Sequence, residues 1–321
     1  MTSTNMLRPG LKTVSIVIVN WNAGSLLEEC VLSLRTVVDQ SRVLAEIIVV
    51  DNASLDDSVA FLAGLPDVGL IRNTNNRGFA AACNQGAAAS RGELLLFFNP
   101  DCRLGEGSIE AAADFLETTP DVGVVSVALK NDEGRVWRSC HRCARPGYLY
   151  ARAVGLAQVL PSRYDSAMLA WPHDDDRDVD HVIGAFYMIR RSLFERLAGF
   201  DERFHVYLED LDLSLRVKQA GYRIRFLAGP VSYHKGGGTS ERVKAMRIFL
   251  STQSRILYAF KHFGEVHGWL HLLVTLACEP LCRMLMLLGR GQWGDLGGVW
   301  RAFRQLVGSL PATLARRHVS G

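Results

Sequence analysis

Apolar residues along the first hundred positions come in short blocks separated by polar ones. V-S-I-V-I-V over residues 14–19 and E-I-I-V-V over 46–50 are β-branched runs with polar borders, the pattern of strands buried on both faces of a parallel sheet. Between them Ser25 opens a stretch to residue 38 in which Leu26, Leu27, Cys30, Val31 and Leu34 recur at the spacing of a helix lying on a sheet. The pattern repeats with a helix over 56–63, a strand over 69–71, an alanine-rich helix over 79–89 and the strand E-L-L-L-F-F ending at Phe98. This alternation predicts an α/β fold, a doubly wound sheet covered by helices. Ligands of such sheets sit beyond the carboxyl ends of the strands, here Asn20-Trp21-Asn22, Asp51-Asn52, residues 73–78 and Asn99-Pro100-Asp101.

A less regular stretch over 131–178 reads as an insertion covering the site, and its acidic run Asp174-Asp175-Asp176 as solvated surface. Residues 179–189 read as a strand, 192–198 and 208–220 as helices, with Gly221 closing the second, and 222–227 as a last strand. Two long helical stretches, 241–263 and 266–288, complete the pattern. The expected division is a catalytic domain over 1–263 and a basic, apolar helical tail over 264–321.

Composition narrows this picture. The chain has 321 residues, 48% hydrophobic and 21% charged, enough for one large core and unlike a disordered chain. Its seven cysteines are scattered and the first dozen residues lack an apolar leader, which fits a reducing cytoplasm. Cys140 and Cys143 form a lone C-x-x-C; a structural zinc site needs two further ligands, so these read as ordinary thiols. The formal net charge is +3, yet from Arg242 onward there are eleven Lys/Arg against three acids, 11 − 3 = +8, leaving −5 for the rest. Such asymmetry points to an anionic partner for the tail, a membrane surface, a nucleic acid or a phosphorylated acceptor.

Neither G-x-G-x-x-G nor G-x-x-x-x-G-K-[ST] follows the first strand. In their place Trp21 stands between two amides, suited to packing on a base or ribose, and Asp51 either accepts from a pyrimidine or caps the next helix. Asp101 follows a fully apolar strand and either ligates a divalent ion such as Mg²⁺ or Mn²⁺ or belongs to an Asn-Pro-Asp turn. Glu209, Asp210 and Asp212 fall in a first helical turn, where the dipole favours acids with or without chemistry, and where a desolvated carboxylate can also deprotonate a hydroxyl. His234 precedes Gly236-Gly237-Gly238, the material of a loop that closes over phosphates, and is placed to complete a metal shell or bind a pyrophosphate.

Together V-S-I-V-I-V-N-W-N, I-I-V-V-D-N-A-S, N-R-G-F-A-A-A-C-N-Q-G, L-F-F-N-P-D, Y-L-E-D-L-D-L-S-L-R and Y-H-K-G-G-G-T-S resemble glycosyltransferase family 2, especially its bacterial rhamnosyltransferase-like branch, over residues 14–262. The resemblance implies a GT-A-type fold with a mixed sheet, a nucleotide-diphosphate-sugar donor, a divalent metal and inversion at the anomeric carbon. It implies that Asp51 holds the base, with Asn20, Asn22, Gly78 and Asn84 around the nucleotide. Asp101 and His234 would hold the Mg²⁺ or Mn²⁺, and Asp210, second acid of the pair with Glu209, would be the general base. Where the family usually has Asp-x-Asp, this chain has Asn99, one charge fewer. L-rhamnose from its thymidine diphosphate carrier is the donor the resemblance favours; another UDP- or dTDP-sugar, or a binding protein that has lost catalysis, is the alternative. A sugar nucleotidyltransferase would show a glycine-rich loop with a basic residue after the first strand, which is absent. No nucleic-acid recognition motif accompanies the basic tail.

Residues 266–288 are strongly apolar but contain Glu279, Pro280 and Arg283, with the acid and base four apart as on a water-facing helix. This reads as an interfacial helix in preference to a spanning one, with a core helix as the rival. The tail is then expected to hold the enzyme peripherally on the cytoplasmic face of the inner membrane, where a polyprenyl-diphosphate-linked saccharide presents its hydroxyl.

Overall fold

The computed structural model describes residues 12–161, 163–164, 166–236 and 244–317. β1 (Thr13–Asn20), β2 (Leu44–Asp51), β3 (Val68–Arg72) and β4 (Leu94–Phe98) are parallel in the order β3-β2-β1-β4. The helices α1 (Ser25–Asp39) and α2 (Phe79–Ala89) connect them. Side chains of β1 alternate between two cores. Ile16 and Ile18 pack with Leu27 and Leu34 of α1, whereas Val17 and Val19 pack with Ala82 and Cys83 of α2. Gly86 lets α2 lie flat on β1, because a Cβ there would stand 2.4 Å from Val17 Cγ1.

After β4 come β5 (Cys102–Arg103), α3 (Ser108–Thr118) and β6 (Val122–Lys130). The 131–178 region holds β7 (Cys140–His141), α4 (Pro146–Ala153), α5 (Leu156–Val159) and the start of β8 (Arg177–Val179); β9 (His181–Val182) and β10 (Phe186–Arg190) follow. Then come α6 (Arg191–Arg196), α7 (Glu209–Gln219) and β11 (Arg223–His234). The sheet is mixed, in the order β3-β2-β1-β4-β10-β6-β11-β5: β10 runs antiparallel to β4 and β6, and β11 runs parallel to β6.

Several elements differ from the sequence expectation. The 56–63 helix reduces to a 3-10 turn at Ala60–Gly64, because the Asp56 carboxylate accepts from Gly24 N and Ser58 in place of helical bonds. The strand expected over 179–189 is divided among the end of β8, β9 and β10, in two sheets, with Ile183, Gly184 and Ala185 between β9 and β10. α3 and β6, which periodicity did not single out, pack together, β6 standing between β10 and β11 in the sheet. The acidic run 174–176 is exposed, as expected.

The tail departs further. α8 (Lys244–Ala277) continues through a non-helical Gly264 (φ 79°, ψ 177°), and the chain breaks again before α9 (Glu279–Gly289); α10 (Leu296–Arg316) is a third helix. Phe249, Ile256 and Phe260 share one core with Leu272, Val299, Phe303 and Leu306, so helical segments on both sides of residue 263 pack together. Glu279 is not water-facing: it is 1% exposed and bonds Arg255 as well as Arg283. No single helix among the described residues is long and apolar enough to cross a membrane; only α8 and α9 together, bent by 41°, meet that length and hydropathy.

Candidate active site

Three groups of residues meet at the carboxyl rim of the sheet. The first is built where β1 and β2 end. Asn20, fully buried, donates from Nδ2 to Asp51 Oδ1 (2.9 Å), Ser54 Oγ (2.9 Å) and Ser58 Oγ (2.8 Å). It therefore orients Asp51 from within the fold, its Oδ1 buried without a partner. Asn22 (φ 53°) and Ala53 (φ 61°) hold left-handed backbone, a strain that persists where surroundings over-determine it. The Asn22 Oδ1 accepts from Leu55 N at 2.7 Å, tying the two strand ends together.

Asn52, unassigned from sequence, organises the adjoining loop. Its Nδ2 donates to Asn76 Oδ1 and Gly78 O, and its Oδ1 accepts from Asn73 Nδ2 and Arg77 N. Gly78 sits at φ +91° with a virtual Cβ 2.5 Å from His205 O, so only glycine fits between this loop and the segment leading to α7. Asn84 is also a support: its carboxamide closes a pair of bonds with Phe200 N (2.9 Å) and Phe200 O (2.8 Å), fixing the loop before α7.

The second group is Asp101, Cys102 and His234. β5 pairs with the end of β11, setting Cys102 opposite His234, and His234 Nε2 lies 3.4 Å from Asp101 Oδ1. The three ligand atoms lie within 4.8 Å of one another. His234 Nδ1 is buried without a hydrogen-bond partner, and Trp137 packs edge-on at 5.3 Å, which fixes the ring. A carboxylate and an imidazole so placed fit a divalent cation. Burial pushes the Cys102 thiol well up, so it stands there as a neutral, soft neighbour. Gly237, Gly238, Thr239 and Ser240, the expected closing loop, lie outside the described residues.

The third group heads α7. Tyr207 (φ 70°) and Leu208 (φ 67°) are successive left-handed residues that swing the chain into the helix at Glu209. Asp210 Oδ2 accepts from Gly184 N (2.9 Å) and Oδ1 from Leu211 N (2.8 Å). Burial outweighs these donors and raises its pKa. Glu209 beside it is 5% exposed with Oε2 unpartnered, and burial together with the Asp210 charge raises its pKa strongly. Asp212 behaves oppositely. Against the pull of burial, His262, Arg216 and Lys261 keep it ionised, with contacts of 2.5–2.8 Å.

His141 and His181 face each other across β7 and β9, rings 5.6 Å apart, and His181 Nε2 lies 3.8 Å from Asp210 Oδ1. Burial lowers His141 to about 4 and His181 to about 3, so both rings are neutral near pH 7. Nothing in the sequence spacing marked this pair, since the two residues meet only through a two-stranded sheet.

Gly184 and Ala185 join the groups. Gly184 N bonds Asp210, Ala185 O accepts from Asn99 N (3.3 Å) just before Asp101, and Phe79, next to Gly78, approaches the position of a Gly184 Cβ to 3.7 Å. Asp51, Asp101, His234 and Asp210 thus share one rim. A cavity of about 420 Å³ lies at the opposite, amino ends of the strands, where Lys12, Arg190 and Arg191 are bonded to Asp114, Leu116 O and Gly92 O.

The Glycosyl transferase family 2 profile matches residues 15–198. An N-acetylglucosaminyl-diphospho-decaprenol L-rhamnosyltransferase of Mycobacterium tuberculosis is 25% identical over 281 residues, covering 78% of this chain and 85% of that protein. The O-antigen chain rhamnosyltransferase RfbN of Salmonella typhimurium is 23% identical over 226 residues, 69% of this chain and 66% of its own. Among solved structures, the mannosyltransferase PcManGT from Pyrobaculum calidifontis in complex with GDP-Man and Mn²⁺ superposes with a TM-score of 0.53 at 18% identity, over 96% of this chain and 87% of that one.

Proposed function

The chain belongs to Glycosyl transferase family 2 and is a glycosyltransferase of GT-A-type fold; from that premise we propose that it transfers L-rhamnose, with inversion, from dTDP-rhamnose to a lipid-linked saccharide of the cell envelope. The observation that carries the mechanism is the Gly184-Ala185 turn, which touches Asp210 on one side and the Asn99-Pro100-Asp101 segment on the other. Asp51 receives the pyrimidine, oriented by Asn20, while Asn22 and Gly78 shape the nucleotide's rim. Asp101 and His234 would hold a divalent ion, which when bound would supply positive charge to stabilise the departing diphosphate.

The acceptor hydroxyl attacks the anomeric carbon from the face opposite the diphosphate. As the new C–O bond forms and the bond to phosphate breaks, Asp210 takes the hydroxyl proton. Its raised pKa makes it a stronger base than an exposed carboxylate, and the Gly184 and Leu211 amides fix its direction. Glu209, holding its own proton more tightly, keeps a second negative charge away from the base.

The rhamnosyl donor and the lipid-linked acceptor are favoured by the names of the two relatives above. The tail supports work at the cytoplasmic face of the inner membrane. Val266, Leu270, Leu273, Leu281 and Leu285 stay exposed at helical spacing along α8 and α9, with Trp293 and Trp300 nearby in sequence, in a region of net positive charge. The test is a panel of dTDP-rhamnose, UDP-sugars and GDP-sugars with Mn²⁺ or Mg²⁺, scored for nucleoside diphosphate release with and without membrane lipid extract. Release from dTDP-rhamnose that rises with the extract and gives an inverted anomer supports the reading. Release from another donor alone overturns the sugar, and none from any donor overturns the transfer. In Asp101→Ala, Mn²⁺-dependent nucleotide binding should weaken by at least the roughly 10- to 100-fold that loss of even an outer metal-site partner causes.

A further inference from the structure

Between α4, α8 and α9 lies a buried polar cluster with no part in the chemistry above. Arg255, 3% exposed, donates from Nη2 to Glu279 Oε1 at 2.6 Å, and Arg283 reaches the same oxygen from Nε and Nη2 at 2.9 and 2.7 Å. Arg152 of α4 lies within electrostatic reach of Arg255, its Nη1 bonded to Tyr148 OH at 3.3 Å. Two guanidiniums therefore hold one carboxylate, and a third, Arg152, lies within electrostatic reach of the first. Arg255 Nη1 and Arg152 Nε are buried donors without a hydrogen-bond partner. Glu279 compensates the Arg255 charge but not these N–H groups, and its own Oε2 is also without a partner; a buried donor left unmet is unfavourable unless an anion or ordered water completes it.

The placement says which anion. Arg152 acts on the His141 ring, which Asp210 also influences, so the cluster lies on the same side of the molecule as the proposed base. Leu156 and Val159 of α5, 42% and 71% exposed, follow Arg152 directly, and Gly155 packs on Met286 and Cys282 of α9. Cationic donors beside exposed apolar side chains match a phosphate group carrying a hydrocarbon chain. We propose that Arg152, Arg255 and Arg283 form a binding subsite for the diphosphate of a lipid-linked acceptor. The inference rests on the lipid-linked acceptor reading above, and it places the saccharide between this cluster and Asp210.

The test is thermal melting of the full chain in EDTA, which keeps the metal-dependent nucleotide site out of the measurement. Inorganic pyrophosphate should raise the melting temperature above a sodium chloride control of equal ionic strength, and farnesyl diphosphate should do so at lower concentration. Arg152→Gln and Arg283→Gln should each weaken both effects roughly tenfold or more, the loss of one charge-assisted bond, and Arg152→Lys should restore part. Arg152 bonds Tyr148 and not Glu279, so its replacement leaves the buried ion pair intact. Equal stabilisation of wild type and Arg152→Gln, or none in wild type, overturns the subsite. Farnesyl diphosphate no better than pyrophosphate overturns its lipid character. A wild-type enzyme that transfers sugar to an acceptor lacking diphosphate, with no pyrophosphate effect, sinks the subsite and leaves the transfer standing. A protein that releases no nucleoside diphosphate from any donor sinks the transfer whatever the cluster binds.

Discussion

The head of α7 and the start of α9 each bury acids in a first helical turn, and they handle them in opposite ways. At α7, Glu209 and Asp210 have no lysine or arginine in ion-pair contact among the described residues; backbone amides and a neutral histidine lie against Asp210, and both pKa values rise. At α9, Glu279 touches two arginines and its carboxyl is held down despite burial. Asp212, two residues beyond Asp210, joins the second type through Arg216, Lys261 and His262. Burial alone therefore does not mark a reactive carboxylate. What separates the two kinds is whether the fold supplies a permanent counter-charge, since an acid already neutralised by arginine has little basicity left to offer a substrate.

The sharpest way to break this contrast is Asp210→Asn, which should lower kcat by about 10²- to 10⁴-fold while leaving Mn²⁺-dependent nucleotide binding and melting temperature near wild type. Turnover close to normal would remove Asp210 from the reaction. Next in size, Glu279→Ala should destabilise the chain by about 3–5 kcal/mol, because Arg255 is left buried and unpaired; equilibrium denaturation measures it, and a change under 1 kcal/mol would make the pair a surface-like contact.

The pH dependence sharpens the same division. A base must be deprotonated, so kcat should be present above the folded pKa of Asp210 and fall away as pH drops through it, with an acid limb above the usual carboxylate range near ~4. Stability moves with the histidines. His141 and His181 resist protonation down to about 4 and about 3, whereas an unfolded histidine takes its proton near ~6.5, so stability should decline as pH falls from about 6.5 through that window. His181→Asn should flatten the decline, and melting scans between pH 7 and 4 read it. The smallest effect belongs to the exposed stripe: Leu273→Glu with Leu285→Glu should shift stability within about 0.5 kcal/mol yet reduce co-sedimentation with anionic vesicles. Unchanged sedimentation would leave that face without a membrane role.

Much of this was legible in the chain. The runs at 14–19 and 46–50 specified parallel strands because both faces of the sheet are covered, so all their side chains but Ser15 and Glu46, which bond each other, are apolar. The residues after them, Asn20, Asn22 and Asp51, fall at the rim because strand ends are local events. Less legible were Asn84 and Asn20, whose amides look like ligand contacts and are engaged with Phe200 and Asp51. Asn52 was hidden for the converse reason: its four partners are spread over residues 73–78, and no spacing rule links them.

The sequence by itself determined the alternating core, the family and the order of the chemistry-bearing segments, since these depend on local periodicity and on motifs carried within single strand-to-helix turns. Only the tertiary structure decided that Glu279 is buried against Arg255, that His141 meets His181, and that one turn at Gly184 serves both Asp210 and the Asp101 segment. Those facts depend on which surfaces of distant elements come together, and a side chain's charge, exposure and basicity are properties of that meeting, not of its neighbours along the chain.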